Sequence, residues 1–331
     1  MRLRALVVCP PNLRADVFPE TVLEEISQAA DCPWPVLDPV DWRSAGEALR
    51  EADVIVSTWG MPALTEEFLA AAPALKAVFY AAGSVKGFAT EAGWDREIKI
   101  SSAWAANGIP VAEYSLATIL LSLKRFWHHS RAMRAGEDGP HALRVPGAYR
   151  SKVGLVSLGA VGRATAALLQ PFDVTLLAFD PYLPAEQAAE LHVGLAPLAN
   201  VFRECDVVSL HSPWIPATER IITGPLIASM KEGATLINSS RGAIIAEDEM
   251  IEVLRSRPDI SAVLDVTYPE PAAADSPLRS LPNVILTPHI AGSLQGECAR
   301  MGSWMAAELR RFGSGEPLCH SLSREMLLRM A

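Results

Sequence analysis

Three polar residues, far apart in the chain, each stand just past an apolar run of strand length. Arg241 follows Leu236-Ile-Asn-Ser-Ser, Glu270 comes shortly after Val263-Leu-Asp-Val, and His289 follows Val284-Ile-Leu-Thr-Pro. In an open parallel sheet, ligands bind outside the carboxyl ends of the strands, so the three are candidates for one site. A guanidinium grips a carboxylate with a two-pronged fork and stays charged. An imidazole exchanges a proton near neutrality, and a neighbouring carboxylate favours its charged form and fixes its tautomer. Together these groups suit the reduction of a ketone that stands beside a carboxylate: Arg241 holds the anion and polarises the carbonyl, and His289, paired with Glu270, supplies a proton to oxygen. A single strand-end Arg, Glu or His is more often an ion pair or a cap; the conjunction carries the inference.

Such chemistry needs a hydride donor, and the stretch around which the chain is organised can hold one. Lys152-Val-Gly-Leu-Val-Ser-Leu-Gly-Ala-Val-Gly162 reads as a strand and a tight turn. A helical run follows, then a second strand, Val174-Thr-Leu-Leu-Ala-Phe, ending at Asp180. This is the order of parts of a dinucleotide-binding βαβ unit. Gly159 lets backbone approach a pyrophosphate, Gly162 lets the helix lie close on its strand, and Ala160 and Val161 open that helix with free N–H groups. Ser157 departs from the pattern, because it occupies the first glycine position, where the turn is tightest. Asp180 is placed to accept hydrogen bonds from an adenosine ribose. Pro181-Tyr-Leu-Pro-Ala offers no cation for a 2′-phosphate, so the reading is NAD rather than NADP. A βαβ unit without cofactor is the alternative at this point.

The remaining chain supplies the elements around this unit. Runs at Leu3–Val8, Val54–Thr58, Ala77–Tyr80 and Ile98–Ser101 alternate with helical patterns at Glu20–Ala30, Ser44–Glu51 and Thr65–Ala71, which predicts a parallel sheet covered by helices. Val111–Trp127 is apolar almost all round and predicts a helix buried between domains or against a second subunit, and its position fits a linker. His128–Arg150 is expected to be a loop. Further strands at Val207–Leu210, Ala234–Asn238, Ala262–Val266 and Val284–Leu286 complete a six-stranded doubly wound sheet. Ser293–Phe312 reads as a helix, after which the tail packs back on the N-terminal domain. The fold class is α/β: two Rossmann-like or flavodoxin-like parallel-sheet domains with a cleft between them. Residues 1–103 plus 293–331 form the substrate domain and 104–292 the NAD-binding domain, with hinges near 103–108 and 292–296.

At 331 residues and 50% hydrophobic content the chain supports two cores. A formal net charge of −9 without a basic block argues against a nucleic-acid surface. The five cysteines, scattered without C-x-x-C spacing, form neither a zinc pattern nor a disulfide framework and read as reduced thiols of a cytoplasmic protein. The N-terminal apolar run stops at Pro10-Pro11, too short for a signal peptide, and no run is long enough to span a membrane. No metal site is expected.

Asn238-Ser-Ser-Arg-Gly-Ala-Ile-Ile, Leu264-Asp-Val-Thr-Tyr-Pro-Glu-Pro and Leu286-Thr-Pro-His-Ile-Ala-Gly-Ser resemble three signatures of the D-2-hydroxyacid dehydrogenase family. Asn107 to Glu113 resembles that family's helix start, and His211-Ser-Pro-Trp-Ile-Pro-Ala-Thr its segment beside the cofactor. The resemblance implies Arg241, Glu270 and His289 as catalytic residues. It implies cofactor contacts from His211, Pro213, Thr218, Ser239, Asn107 and Gly292, with Asp265 near the nicotinamide amide. The family's carboxylate-binding loop aligns with Ala82-Gly-Ser-Val-Lys86, so Ser84 and Val85 are implied as substrate-binding backbone, with Ser84 and Lys86 replacing the usual Gly and Asp. Trp59 follows a strand where the family presents specificity residues, which points to an apolar or aromatic substrate side chain. Lys86 reads as a solvated lysine pairing with a surface acid, or as an extra cation for a second acidic group on the substrate. The function so implied is interconversion of a 2-keto acid and a D-2-hydroxy acid with NAD, by a homodimer. The alternatives are an NAD-sensing, corepressor-like binding protein on the same fold, or oxidation of another small anion such as phosphite; Glu270 beside the histidine separates the chain from the formate enzymes, which carry Gln there.

Overall fold

The computed structural model describes residues 2–136, 145–328 and 330. In chain order its strands are β1 (Ala5–Val8), β2 (Val54–Ser57), β3 (Ala77–Tyr80), β4 (Lys99–Ser102), β5 (Ser151–Val156), β6 (Val174–Phe179), β7 (Gly194–Leu195), β8 (Val207–Leu210), β9 (Thr235–Asn238), β10 (Ser261–Leu264), β11 (Val284–Leu286) and β12 (Ser321–Leu322). They fall into two compact units, one of residues 1–107 with 293–331, the other of 108–292. The first boundary lies inside the helix Trp104–Leu123 rather than ahead of it.

In the first unit β1 to β4 lie side by side in parallel, and β12 closes the edge antiparallel to β4. Successive residues point to opposite faces, as a pleated strand requires. Ala5, Val7, Val54, Val56 and Phe79 feed one core, while Leu6, Val8, Ile55, Val78 and Ile100 feed the other. The helices Glu20–Ala29 and Cys298–Gly313 cover the first of these faces. Glu308, only 2% exposed, explains how the tail docks. Its carboxylate accepts hydrogen bonds from Ser101 Oγ and from the backbone N–H groups of Cys319 and His320 at 2.8–3.0 Å, so a buried charge is met by three donors.

The second unit carries the order β11-β10-β9-β8-β5-β6-β7, all parallel. The chain starts in the middle at β5, runs outward through β6 and β7, then returns to β8 and runs the other way. The order therefore reverses between β5 and β8, and the crevice for a ligand lies outside the carboxyl ends of those two strands. Two apolar clusters sandwich the sheet. Val208, Leu236 and Leu264 point to one face; Val207, Ile237 and Val263 point to the other. The sheet has one strand more than the sequence indicated: β7 is two exposed residues with no apolar run to announce it.

Two further expectations are corrected. The long helix begins at Trp104, seven residues ahead of Val111, with Pro110 inside it. The segment expected to be a loop from His128 is helical from Phe126 to Arg134, because nothing in Phe-Trp-His-His-Ser-Arg-Ala-Met-Arg breaks a helix before Gly136. Residues 137–144 of that segment lie outside the described residues. Among the described residues no helix is long and apolar enough to cross a membrane.

Candidate active site

The second unit gathers its polar strand ends at one rim. Asn238 closes β9 and turns the chain toward Arg241: its Oδ1 accepts hydrogen bonds from the N–H and Oγ of Ser240, while its Nδ2 donates to Arg241 O at 2.9 Å. The Arg241 guanidinium donates to Ser240 O at 2.6 Å. Burial pushes its pKa down from the ordinary arginine value, and the negative charge of Glu270 opposes that shift. Gly242 then abuts the loop after β10 so closely that a Cβ there would stand 2.1 Å from the carbonyl of Thr267. Only glycine allows the Arg241 and Glu270 segments this approach.

The Glu270 loop is held from three directions. Thr267 Oγ1 donates to Pro269 O at 2.8 Å, Tyr268 N–H donates to Glu247 Oε2 at 3.0 Å, and the Tyr268 ring meets the edge of Trp214 at 5.4 Å between centroids. Burial raises the pKa of Glu247, an effect the Tyr268 N–H partly offsets. Glu247, Tyr268 and Trp214 were not singled out in the sequence, where no local pattern marks a carboxylate that acts 21 residues away.

His289 Nδ1 lies 2.5 Å from Glu270 Oε1, and both side chains are more than a third exposed. Nδ1 is thus committed to Glu270, which leaves Nε2 to face a reactant. His289 adopts φ +57°, unusual for a residue with a Cβ. Asp265 holds it there. The Asp265 carbonyl accepts the His289 N–H at 2.9 Å, and its carboxylate accepts from Thr287 Oγ1, Ile290 N–H and Ala291 N–H at 2.6–2.9 Å. Asp265, expected beside the nicotinamide, therefore also builds the loop that presents His289. About one of its four acceptor positions is left for another partner. Arg241, Glu270 and His289 are brought together within the second unit.

At the centre of the sheet the turn after β5 keeps the expected course. Ser157 takes φ +78°, the left-handed conformation that glycine would adopt without strain. Gly162, in the first turn of the helix Ala160–Leu169, lies so close to the strand that a Cβ would stand 2.2 Å from Ser157 O, whereas a Cβ on Gly159 would meet open space. Asp180 Oδ2 accepts Leu158 N–H at 2.7 Å, and Oδ1 accepts the N–H groups of Tyr182 and Leu183 at 2.9 and 3.1 Å. Backbone donors hold the carboxylate in place at the end of β6, again leaving about one acceptor position for a ribose hydroxyl.

His211, after β8, has both ring nitrogens sealed from solvent and without a hydrogen-bond partner among the described residues. Burial drives its pKa down to about 4, so the ring is neutral at pH 7. Pro213 and Thr218 shape the next loop: Thr218 Oγ1 donates to Pro213 O at 2.5 Å and accepts Ile215 N–H at 3.0 Å. Ser239 is buried, its Oγ 3.4 Å from that of Ser115. Open space at Gly159, a helix N-terminus beside it, a fixed carboxylate at Asp180 and an unpartnered neutral imidazole at the switch point together fit a dinucleotide.

Of the remaining candidates, all but Gly292 lie in the first unit. Asn107 Oδ1 accepts Ser293 N–H at 2.9 Å, so Asn107 ties together the two chain segments at the unit boundary. Gly292 is the last residue of the second unit. Trp59 is half-buried against both apolar clusters of the first sheet. Ser84 is exposed and accepts Lys86 N–H at 3.5 Å, while Val85 is buried.

A parallel sheet of this order, with a histidine–carboxylate contact and a guanidinium at its carboxyl rim, is of the class of nucleotide-binding α/β domains. Residues 116–291 match the family described as "D-isomer specific 2-hydroxyacid dehydrogenase, NAD binding domain". The chain belongs to that family, and NAD is the cofactor of the matched domain. It is 34% identical to the (S)-sulfolactate dehydrogenase of Chromohalobacter salexigens over 243 residues, 73% of this chain and 78% of that protein. It is 28% identical to the D-3-phosphoglycerate dehydrogenase of Mycobacterium leprae over 307 residues, 93% of this chain but 57% of that protein. The chain thus spans about half the length of the phosphoglycerate dehydrogenases it matches. In structure it is similar to a phosphoglycerate oxidoreductase from Rhizobium etli, with a TM-score of 0.81 over 99% of this chain and 100% of that one at 23% identity.

Proposed function

We propose that the protein is an NAD-dependent dehydrogenase that interconverts a 2-keto acid and a D-2-hydroxy acid. The observation that carries the reading is the 2.5 Å contact of His289 Nδ1 with Glu270 Oε1 at the rim where Glu270 also acts on Arg241. Bound NAD supplies the hydride acceptor or donor. Arg241, the one guanidinium of the trio, binds the substrate carboxylate and steadies the negative charge that grows on the keto oxygen during reduction. His289 Nε2 donates the proton to that oxygen, and in the oxidative direction takes it from the hydroxyl. Glu270 fixes the tautomer and favours the imidazolium while the proton is held. Gly159, Ala160, Val161, Gly162 and Asp180 hold the dinucleotide, with His211, Pro213, Thr218 and Ser239 along its path. The family resemblance assigns Ser84, Val85 and Trp59 of the first unit to the substrate.

The reading includes a homodimer. The family resemblance supports it, and the long apolar helix Trp104–Leu123 is consistent with it.

Following NADH absorbance against a panel of 2-keto acids tests the activity. Turnover on at least one acid is expected, and His289→Ala should abolish most of it while calorimetric NADH affinity stays within about twofold. NADH binding without turnover on any acid would replace the reading with that of a nucleotide-sensing protein.

A further inference from the structure

We propose that Tyr114 is a positioning residue for His289, acting through Thr287 and Asp265. The inference rests on the reading of His289 as the acid/base group, and deepens it. Tyr114 lies on the helix Trp104–Leu123, more than 170 residues from Thr287, and its hydroxyl is 3.2 Å from Thr287 Oγ1. The direction of the chain of hydrogen bonds follows from counting protons. Asp265 Oδ1 already accepts Ile290 N–H at 2.8 Å and lies 2.6 Å from Thr287 Oγ1. A threonine hydroxyl has one proton, and at that distance it goes to the carboxylate. Tyr114 must then be the donor to Thr287.

The phenol is suited to that duty. Burial raises its pKa most and the charge of Asp265 adds to the rise, while its hydrogen bonds with Thr287 and Thr118 oppose it, so the net shift favours the protonated phenol. Downstream, Asp265 fixes the backbone on both sides of the strained φ at His289: its carbonyl holds the His289 N–H, and its carboxylate the N–H groups of Ile290 and Ala291. The direction in which Nε2 points therefore depends on where the Asp265 carboxylate sits, and Thr287 and Tyr114 fix that position from the side. A left-handed residue with a Cβ persists only where its surroundings over-determine it, and this network supplies the constraint. The helix that carries Tyr114 is also the one along which the chain passes from the first unit to the second.

Tyr114→Phe removes one oxygen and keeps the ring. A neutral hydrogen bond is worth a factor of about three to ten, and that is the expected effect. Hydrogen exchange on the nucleotide-free protein should speed by this factor at Ile290 and Ala291 while the amides of β8 are unchanged. With the best keto acid, kcat should fall by a similar factor. Thr287→Val should reproduce both changes and Thr287→Ser should reverse them. The double variant Tyr114→Phe/Thr287→Val should be no worse than Thr287→Val alone, because the two residues act in series. Unchanged exchange at 290 and 291 in Tyr114→Phe, or losses that add in the double variant, would overturn the proposal. The exchange measurement needs no turnover. Faster exchange in a protein that reduces no keto acid would leave the network standing and remove the dehydrogenase reading, whereas turnover with unchanged exchange would do the reverse. Should Tyr114→Phe fold poorly, the Thr287→Val and Thr287→Ser pair gives the same decision.

Discussion

The buried imidazole of His211 makes the stability of the protein depend on pH in a way that can be worked out from its surroundings. In the folded chain both ring nitrogens are sealed and unpartnered, and burial lowers the pKa from 6.5 to about 4. Unfolded, the ring takes up a proton as the pH falls through about 6.5; folded, it does not until about 4. The unfolded state therefore binds more protons throughout that window, and stability must fall as the solution is acidified. At pH 7 the folded ring is neutral and only about a quarter of the unfolded rings carry a proton, so the group contributes little pH dependence there. Each tenfold difference in proton affinity is worth about 1.4 kcal/mol, so by pH 4.5 the loss approaches about 2 kcal/mol, with a ceiling near 3 kcal/mol below pH 4. The perturbation is His211→Gln, which keeps a polar side chain of similar reach and cannot titrate. Urea unfolding of both proteins at pH 7, 6, 5 and 4.5, read as midpoint times slope, isolates the contribution of His211, because other titrating groups cancel in the difference. The wild type should lose about 2 kcal/mol more than the variant between pH 7 and 4.5. Parallel curves for the two proteins would mean that the ring is solvated or hydrogen-bonded, and would remove the argument for an unpartnered imidazole at the switch point.

Other expectations follow from single residues. Ser157→Gly relieves a side chain held at φ +78° and should raise stability by about 1 kcal/mol, seen as a higher urea midpoint with unchanged slope; a lower midpoint would show that the turn does not need glycine-like freedom. Gly242→Ala drives a Cβ to 2.1 Å from Thr267 O and should cost about 2–4 kcal/mol, with loss of turnover as the Glu270 loop moves; unaltered urea unfolding would contradict the close approach. Lys86→Ala should leave the ratio of rates on mono- and dicarboxylic keto acids unchanged, and a selective loss on the dicarboxylic acids would make Lys86 a ligand for a second anionic group.

Much of the second unit was legible in the chain, because its central strands β5, β8, β9 and β10 are buried nearly throughout and read as short apolar runs between turn residues. The βαβ unit, Asp180 and the trio Arg241, Glu270 and His289 could be placed at strand ends from order and spacing alone. The elements that escaped lack such signals. β7 is two exposed residues paired with β6, and the helix Phe126–Arg134 carries two adjacent histidines and a mixed polar surface where a loop was expected. Ser157 illustrates a different limit: its residue type argued against the tight turn, yet the packing of Gly162 on Ser157 O enforces that turn at the cost of local strain.

What the amino-acid order determined by itself was the periodicity, and through it the class of sheet, the rim on which polar residues had to lie and the kind of nucleotide the turn accepts. What only the folded chain decided was the partnership of side chains distant in sequence. Asp265 grips the backbone around His289, Tyr114 reaches Thr287 across more than 170 residues, and Glu247 holds the Tyr268 N–H. The reason is physical. Burial patterns repeat along the chain and can be read locally, whereas a hydrogen bond depends on an approach of about 3 Å between atoms that only tertiary packing brings together.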